Sequence, residues 1–302
     1  MPARARCSPG ECLHRAMAAS ASLEAGLAFL ASEARVLERR LYQVCFRGAD
    51  SGAAMTALLA YRNDDGGFGY GLEPDKRTAA SQPLDVEVAF SVMELLGPPD
   101  TAVVISACDF LASIGPGVGC LTADALEGPR APHWGEFALG ASLNPTAGLA
   151  ASLLSLEVDH PWREAATAFC LERLELGLPD DAHAFAEVLR LLDALPESRW
   201  PCATEQLVQA VENLSLFLPL PVAGEYGLTP LHLAPSPDSR WLELFASEAV
   251  ERHLDALAGA QLTDGGWPIV WESCGPAALQ EWRGIETLRA LRTLEAYGRL
   301  SA

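Results

Sequence analysis

Carboxylates, imidazoles, guanidinium groups and indoles at the ends of apolar segments are the residues of this chain that could do chemistry. Asp180, Asp181 and His183 open a segment running to Leu195, with Glu187 one turn further in. An imidazole beside carboxylates suits a proton shuttle or a metal ligand; the plainer reading is a helix cap with a surface histidine. Asp85 and Glu87 stand at the start of another apolar segment. There an aspartate can cap the helix, and a glutamate in the first turn meets the positive end of its dipole. Arg62, Lys76 and Arg77 crowd one loop, as a diphosphate ligand would require, although Asp64, Asp65, Glu73 and Asp75 share it and largely neutralise it. Arg283, in Glu281-Trp282-Arg283, could clamp an anionic head group or simply pair at the surface. Tyr70, Trp267, Trp271 and Trp282, with Phe68 and Trp134, offer faces for cation–π contacts or rings for core packing.

The elements that must position these residues read as helices. Apolar residues recur at three- and four-residue spacing, and strand-like alternation is scarce. The spacing predicts helices near 21–46, 51–62, 84–97, 100–113, 144–157, 161–176, 181–195, 203–217, 241–260 and 284–298. Asn144-Pro145-Thr146 offers a cap before a first-turn proline, and Pro98-Pro99-Asp100 closes one helix and opens the next. Leu218 to Ser239 carries five prolines and reads as a long excursion. Residues 1–17 are expected to be a disordered extension, with Met17 a second candidate start. Residues 18–302 are expected to form one all-α domain.

Composition excludes some partners. Half of the 302 residues are apolar, enough for a sizeable core, and the formal net charge is −19. That charge argues against nucleic acid and against docking on an anionic membrane. No uncharged run of 18 apolar residues suggests a membrane span, and no signal peptide is apparent, so a cytoplasmic location is expected. The eight cysteines are scattered without a CxxC pair and are expected to be free thiols. No P-loop, dinucleotide fingerprint, HExxH or GxSxG occurs.

An internal repeat sharpens this picture. Asp65-Gly66-Gly67-Phe68 and Asp264-Gly265-Gly266-Trp267 lie 199 residues apart, each after an apolar helix. Twenty-two residues beyond each aspartate comes a glutamate near a helix start, Glu87 or Glu286. Glycine suits the left-handed backbone of a helix exit, and an aromatic can pack back over the turn. His133-Trp134-Gly135-Glu136-Phe137 reads as a degenerate intermediate copy.

The stretch from Arg252 to Trp267, with three residues between Gln261 and Gly265-Gly266-Trp267, resembles the QW repeat of terpenoid and squalene–hopene cyclases. It is also similar to the repeat of protein prenyltransferase β-subunits. The first copy departs from the pattern, with Arg62 in place of Gln and Phe68 in place of Trp. The resemblance implies an α/α toroid of about five to seven short helix pairs around a mostly apolar cavity. In the proton-initiated cyclases of that group an aspartic acid in a DxDD motif protonates an isoprenoid. Asp85-Val86-Glu87-Val88 falls where that motif would, with Glu87 as donor and Asp85 as helper, though Glu87 and Val88 depart from it. Neither the Asp-x-Cys element of zinc prenyltransferases nor the Cys-His-Gly element of lanthionine cyclases occurs, and Asp64-Asp65 runs into a glycine turn rather than DDxxD.

The resemblance therefore implies cyclisation or isomerisation of an isoprenoid or similar apolar substrate, catalysed by Glu87 and Asp85 without a metal. Asp181 and His183 are further catalytic candidates; Arg62, Tyr70, Trp267, Trp271, Trp282 and Arg283 are the substrate-binding ones. No cofactor is expected, and Mg²⁺ would enter only with a diphosphate substrate. A second copy or a partner domain in trans could complete the cavity. Two alternatives stand beside this expectation. One is a non-catalytic binding or scaffold protein with a degenerate toroid. The other is a toroid glycoside hydrolase with two carboxylates flanking an aromatic groove.

Overall fold

A computed structural model describes residues 19–97 and 100–301. The expected N-terminal extension, Met17 and the Pro98-Pro99 pair lie outside the described residues. The chain is mostly helical, with thirteen α-helices among the described residues. They are α1 (Leu23–Glu33), α2 (Val36–Arg47), α3 (Gly52–Leu59), α4 (Pro83–Leu96), α5 (Thr101–Ile114), α6 (Asp124–Glu127) and α7 (Leu143–Ser155). The rest are α8 (Pro161–Leu176), α9 (Ala182–Ala194), α10 (Thr204–Val211), α11 (Pro230–Leu233), α12 (Ser247–Gly259) and α13 (Pro276–Ala296).

Local chemistry sets the boundaries. Ser22 and Asp100 cap α1 and α5 through their side-chain oxygens, and prolines occupy the first turns of α4, α8 and α13. The helix predicted over 21–46 is two helices. The break falls at Ala34-Arg35, where Arg39 donates to the carbonyls of Ser32 and Ala34 that α1 leaves free. Ala34 packs there on Gly284 of α13. Helix α13 starts eight residues before the predicted 284, because Gly284 is an interior contact and Pro276 is the true opening. Asn144 has non-helical angles inside the start of α7, whose cap position is Ser142.

The helices touch in a closed circuit. Helix α4 packs on α3, α5 and α7; α7 packs on α8 and α9; α9 leads through α11 and α12 to α13, which packs on α1 and α2. Helix α7 is enclosed, with every residue from Pro145 to Leu153 buried. The stretch 136–155 is long and apolar enough to cross a membrane by composition, and that interior helix makes up most of it. At the seam, β1 (Ala21–Ser22) pairs in parallel with β2 (Leu300–Ser301), and the Gln261 amide bonds both the N–H and the C=O of Ser22.

The repeated turns join each helix pair to the next. Gly66 lies against the Ser106 carbonyl of α5 and Gly67 against Phe110, four residues on. Gly265 lies against the Ala25 carbonyl of α1 and Gly266 against Phe29, again four residues on. The turn at the chain's end therefore docks on the first helix as the first turn docks on α5. A third turn of this kind leaves α5: Gly117 lies under Phe169 of α8, and the Val118 N–H reaches the Thr146 hydroxyl at 3.0 Å. The Trp267 N–H reaches Thr287 in the same way at 2.9 Å. The intermediate copy is thus at 115–118, whereas the expected stretch forms part of a loop and the 3₁₀ turn Glu136–Leu139.

Gly265 has φ +91° and no room for a Cβ, whereas Gly224, at φ +77°, has open space around it. Replacing Gly265 with Ala should cost about 2–5 kcal/mol, from left-handed backbone plus overlap with Ala25. Gly224→Ala should cost about 1–2 kcal/mol, from the backbone alone. Urea unfolding of both variants measures the difference.

Candidate functional site

The site begins with a buried ion group. Lys76, the chain's single lysine, is fully buried; its Nζ lies 2.8 Å from Asp85 Oδ1 and 3.1 Å from Glu73 Oε2. Asp85 Oδ1 also accepts the Glu73 N–H at 2.7 Å. Burial would lower the Lys76 pKa, but Asp85 and Glu73 outweigh it and raise it, so the ammonium stays charged. Burial pushes Glu73 up to about 7 against the pull of Lys76. Asp85, buried and bonded to Lys76, is a structural anchor of the 73–76 loop rather than a group facing open space. Arg35, paired with Glu38 at 2.7 Å, braces the same loop through the Leu72 carbonyl.

Beside this loop a cavity of about 230 Å³ opens between α2, α4 and α13. Glu73, Glu87, Trp282 and Arg289 lie on its wall among Leu37, Leu72, Val88, Val92, Ile285 and Leu288. Glu87 shares the Arg190 guanidinium with two other carboxylates, at 2.7 Å from Glu87, 2.9 Å from Glu187 and 3.2 Å from Glu94. One cation cannot neutralise three carboxylates. Burial, then Glu187, push Glu87 up to about 8 despite Arg190. Glu87 is thereby biased toward its protonated form near neutral pH. Gly148 of α7 makes the room for it, since a Cβ there would overlap the Glu187 carboxylate.

A second set of residues gathers at the N-terminal ends of α9 and α13. The Trp271 indole N–H donates to Asp75 Oδ2 at 2.8 Å, and His133 Nε2 lies 3.9 Å from the same oxygen. Asp75 Oδ1 is buried with no partner, and burial pushes its carboxyl up, against the Trp271 bond. Rings stand side by side from α9 to α13: His183–Tyr226 at 5.9 Å, Tyr226–Trp271 at 5.5 Å and Trp271–Trp282 at 5.1 Å. His183 Nε2 and the Tyr226 hydroxyl are 2.7 Å apart. Trp282 belongs to this row and to the cavity wall, so the two sets adjoin.

Of the sequence candidates, the structure thus places Glu87 and Trp282 on the cavity wall, and His183, Trp271 and Trp282 in the adjoining row of rings. Asp181 caps α9, accepting from the N–H groups of His183 and Ala184. Burial would raise its pKa, but His183 and those N–H groups outweigh it and hold it below the usual carboxylate range. The other candidates serve the repeated turns. Arg62 and Tyr70 are exposed on the first repeat and do not line the cavity. Trp267 is buried, its indole donating to Leu257. Arg283 forks onto Asp264 with two 2.8 Å bonds and lies over the Phe29 ring. Tyr226 and Arg190 went unread in the sequence, and His133 was read only as part of a repeat copy. Arg190 left a signal, being a cation three residues after Glu187 on an otherwise apolar helix.

In comparisons with known proteins, no family model matches this chain and no curated protein matches it. Among the described residues, no group of three or more His, Cys, Asp or Glu is arranged to hold a metal ion.

Lys76→Met should destabilise the protein by about 3–5 kcal/mol, because Asp85 would stay buried without its counter-charge. The triple change K76M/D85N/E73Q should recover much of that loss in chemical denaturation. The raised pKa of Glu87 has its own signature. A carboxyl that holds its proton more tightly folded than unfolded loses stability as pH rises, here between about 4.5 and about 8. Wild type should lose stability relative to Glu87→Gln across that window in urea titrations, and parallel curves would refute the assignment.

Proposed function

We propose that this chain is an enzyme with an α/α-toroid fold that protonates a short isoprenoid or similar apolar chain in the cavity and so cyclises or isomerises it. The single observation that carries this reading is the place of Glu87 on the wall of a largely apolar cavity, where burial and Glu187 push its pKa up to about 8. Protonating a carbon–carbon double bond needs a neutral acid shielded from water. The closed circuit of helices and the equivalent docking of the 65–68 and 264–267 turns support the toroid.

The step balances with this chain's own groups. The Glu87 carboxyl gives its proton to an alkene carbon, and the adjacent carbon becomes cationic. Either a second double bond closes on that carbon and moves the positive charge to its own far carbon, or no ring closes; in both cases a C–H beside the cationic carbon then gives up its proton, forming a new double bond, and that proton returns to the carboxylates around Arg190. Arg190 offsets the charge left on Glu87 while the cation exists, and the Trp282 face stabilises the cation. At about 230 Å³ the cavity falls below the roughly 300–1,000 Å³ of pockets for drug-sized ligands, which favours a short chain over squalene. Arg289 on the wall offers a contact for an anionic head group.

The test is product analysis by mass spectrometry with geranyl and farnesyl diphosphates, geranylgeranyl diphosphate and squalene. Wild type should convert a short substrate, Glu87→Gln should be slower by about 10²–10⁴-fold, and turnover should decline as pH rises through about 8. Equal turnover by the variant would remove Glu87 from the reaction.

A further inference from the structure

We propose that the buried group of Lys76, Asp85 and Glu73 is a self-processing site, where Lys76 Nζ and the Asp85 carboxyl condense into an amide cross-link with loss of one water. The inference does not rest on the cyclase reading, because it uses neither Glu87 nor the Arg190 group. It starts from what burial does to this ion group. Lys76 and Asp85 are both 0% exposed, and Glu73 is 6% exposed. Two full charges in such a place lose their hydration, and neutral groups of similar volume are often as stable or more so. An amide between the same two side chains is neutral. The burial that penalises the ion pair therefore favours the product.

The atoms are placed for that bond. Lys76 Nζ lies 2.8 Å from Asp85 Oδ1, against the carboxyl group that it attacks. Oδ1 also accepts the Glu73 N–H at 2.7 Å, a donor that stabilises the negative charge gathered on oxygen when the carboxyl is attacked. Asp85 Oδ2 is buried without a hydrogen-bond partner, so it is the oxygen that leaves. Glu73 Oε2, 3.1 Å from Nζ, is in reach to move the protons. Burial pushes Glu73 up to about 7, so it takes and gives a proton near neutral pH. Reactants held in contact this way act at effective concentrations of about 10⁵–10⁸ M.

The step balances without any co-reactant. One proton passes from the Lys76 ammonium, by way of Glu73, to Asp85 Oδ2, leaving an amine beside a carboxylic acid. The amine lone pair attacks Cγ, the C–N bond forms, and Oδ1 takes up negative charge. Glu73 removes a proton from the nitrogen and gives it to Oδ2. The Cγ–Oδ2 bond then breaks, the Cγ–Oδ1 double bond re-forms, and Oδ2 departs as water. Glu73 also lies on the cavity wall, so the water has an exit past it. The product makes covalent the tie that the ion group already forms between the 73–76 loop and the first turn of α4.

The experiment is mass spectrometry of the full-length protein, denatured after folding, first intact and then after trypsin. Wild type should be lighter than its sequence mass by one water. Trypsin cuts an unlinked chain after Arg62, Lys76, Arg77 and Arg130. In the linked chain residues 63–77 should stay joined to residues 78–130, with the water missing from the joined pair. Glu73→Gln keeps a hydrogen-bond partner for Lys76 and should fold, as read by circular dichroism, yet form the link slower by about 10²-fold or more. Wild type that keeps its full sequence mass after prolonged incubation at pH 7 would overturn the proposal. So would a missing water carried by a separate 63–76 peptide, the mark of a dehydrated Asp65 before Gly66. Cross-linking of Glu73→Gln at the wild-type rate would overturn the part given to Glu73.

Discussion

Lys76 holds its ammonium against Asp85 and Glu73 with no access to solvent, and the position of the site residues follows from that ion group. The lysine ties the 73–76 loop to the first turn of α4. That tie turns Glu73 toward the cavity and leaves Asp75, one residue before the lysine, beneath Trp271. The 129–131 segment holds the loop from the other side, through Asp75 O to Ala131 N and Arg77 N to Pro129 O. One cation fixed between two carboxylates thus sets the geometry of two neighbouring acids with different surroundings. A more hydrophobic replacement could be as stable, but it would not orient the loop in this way.

The second constraint is the closeness of the turns to the following helices. A backbone carbonyl or a phenylalanine ring occupies the space that a side chain would need at Gly66, Gly67, Gly117, Gly265 and Gly266. The pattern continues through the seam between α13 and α1, where β1 and β2 pair and Gln261 bonds Ser22. Helices that would otherwise stack in an open array are closed onto one another. Burying Phe29 and Phe68 at these joints stabilises the closure by about 1.5–3 kcal/mol for each ring.

Most helices were legible because their apolar spacing and their breakers agree. The 161–176 helix lies where the pattern predicts, between Pro161 and Gly177. The break at Ala34-Arg35 was not legible, because its cause is an Arg39 side chain and a glycine 250 residues away. The third turn was hidden because Val118 stands where the other copies carry an aromatic. At the site, Glu87 could be read from its distance to the repeated aspartate, but its charge state depends on Glu187, Glu94 and Arg190, which tertiary structure alone assembles. Asp85 read as a helix cap or a helper acid; its ion pair with Lys76 crosses a loop that local patterns do not fold. Tyr226 comes from the proline-rich excursion, whose backbone pairs Leu216 and Leu218 with Leu228 and so carries the ring to Trp271.

The two acids have different electrostatic positions, and the account depends most on the first. Glu87 is buried and shares one guanidinium with two other carboxylates, so its pKa is pushed up to about 8, above that of an exposed glutamate. Infrared difference spectroscopy of wild type against Glu87→Gln measures this directly. The account predicts a protonated carboxyl C=O band at pH 7 that is absent from the variant and disappears as pH rises through about 8. A carboxylate spectrum that persists unchanged from pH 8 down to about 4.5 would contradict it.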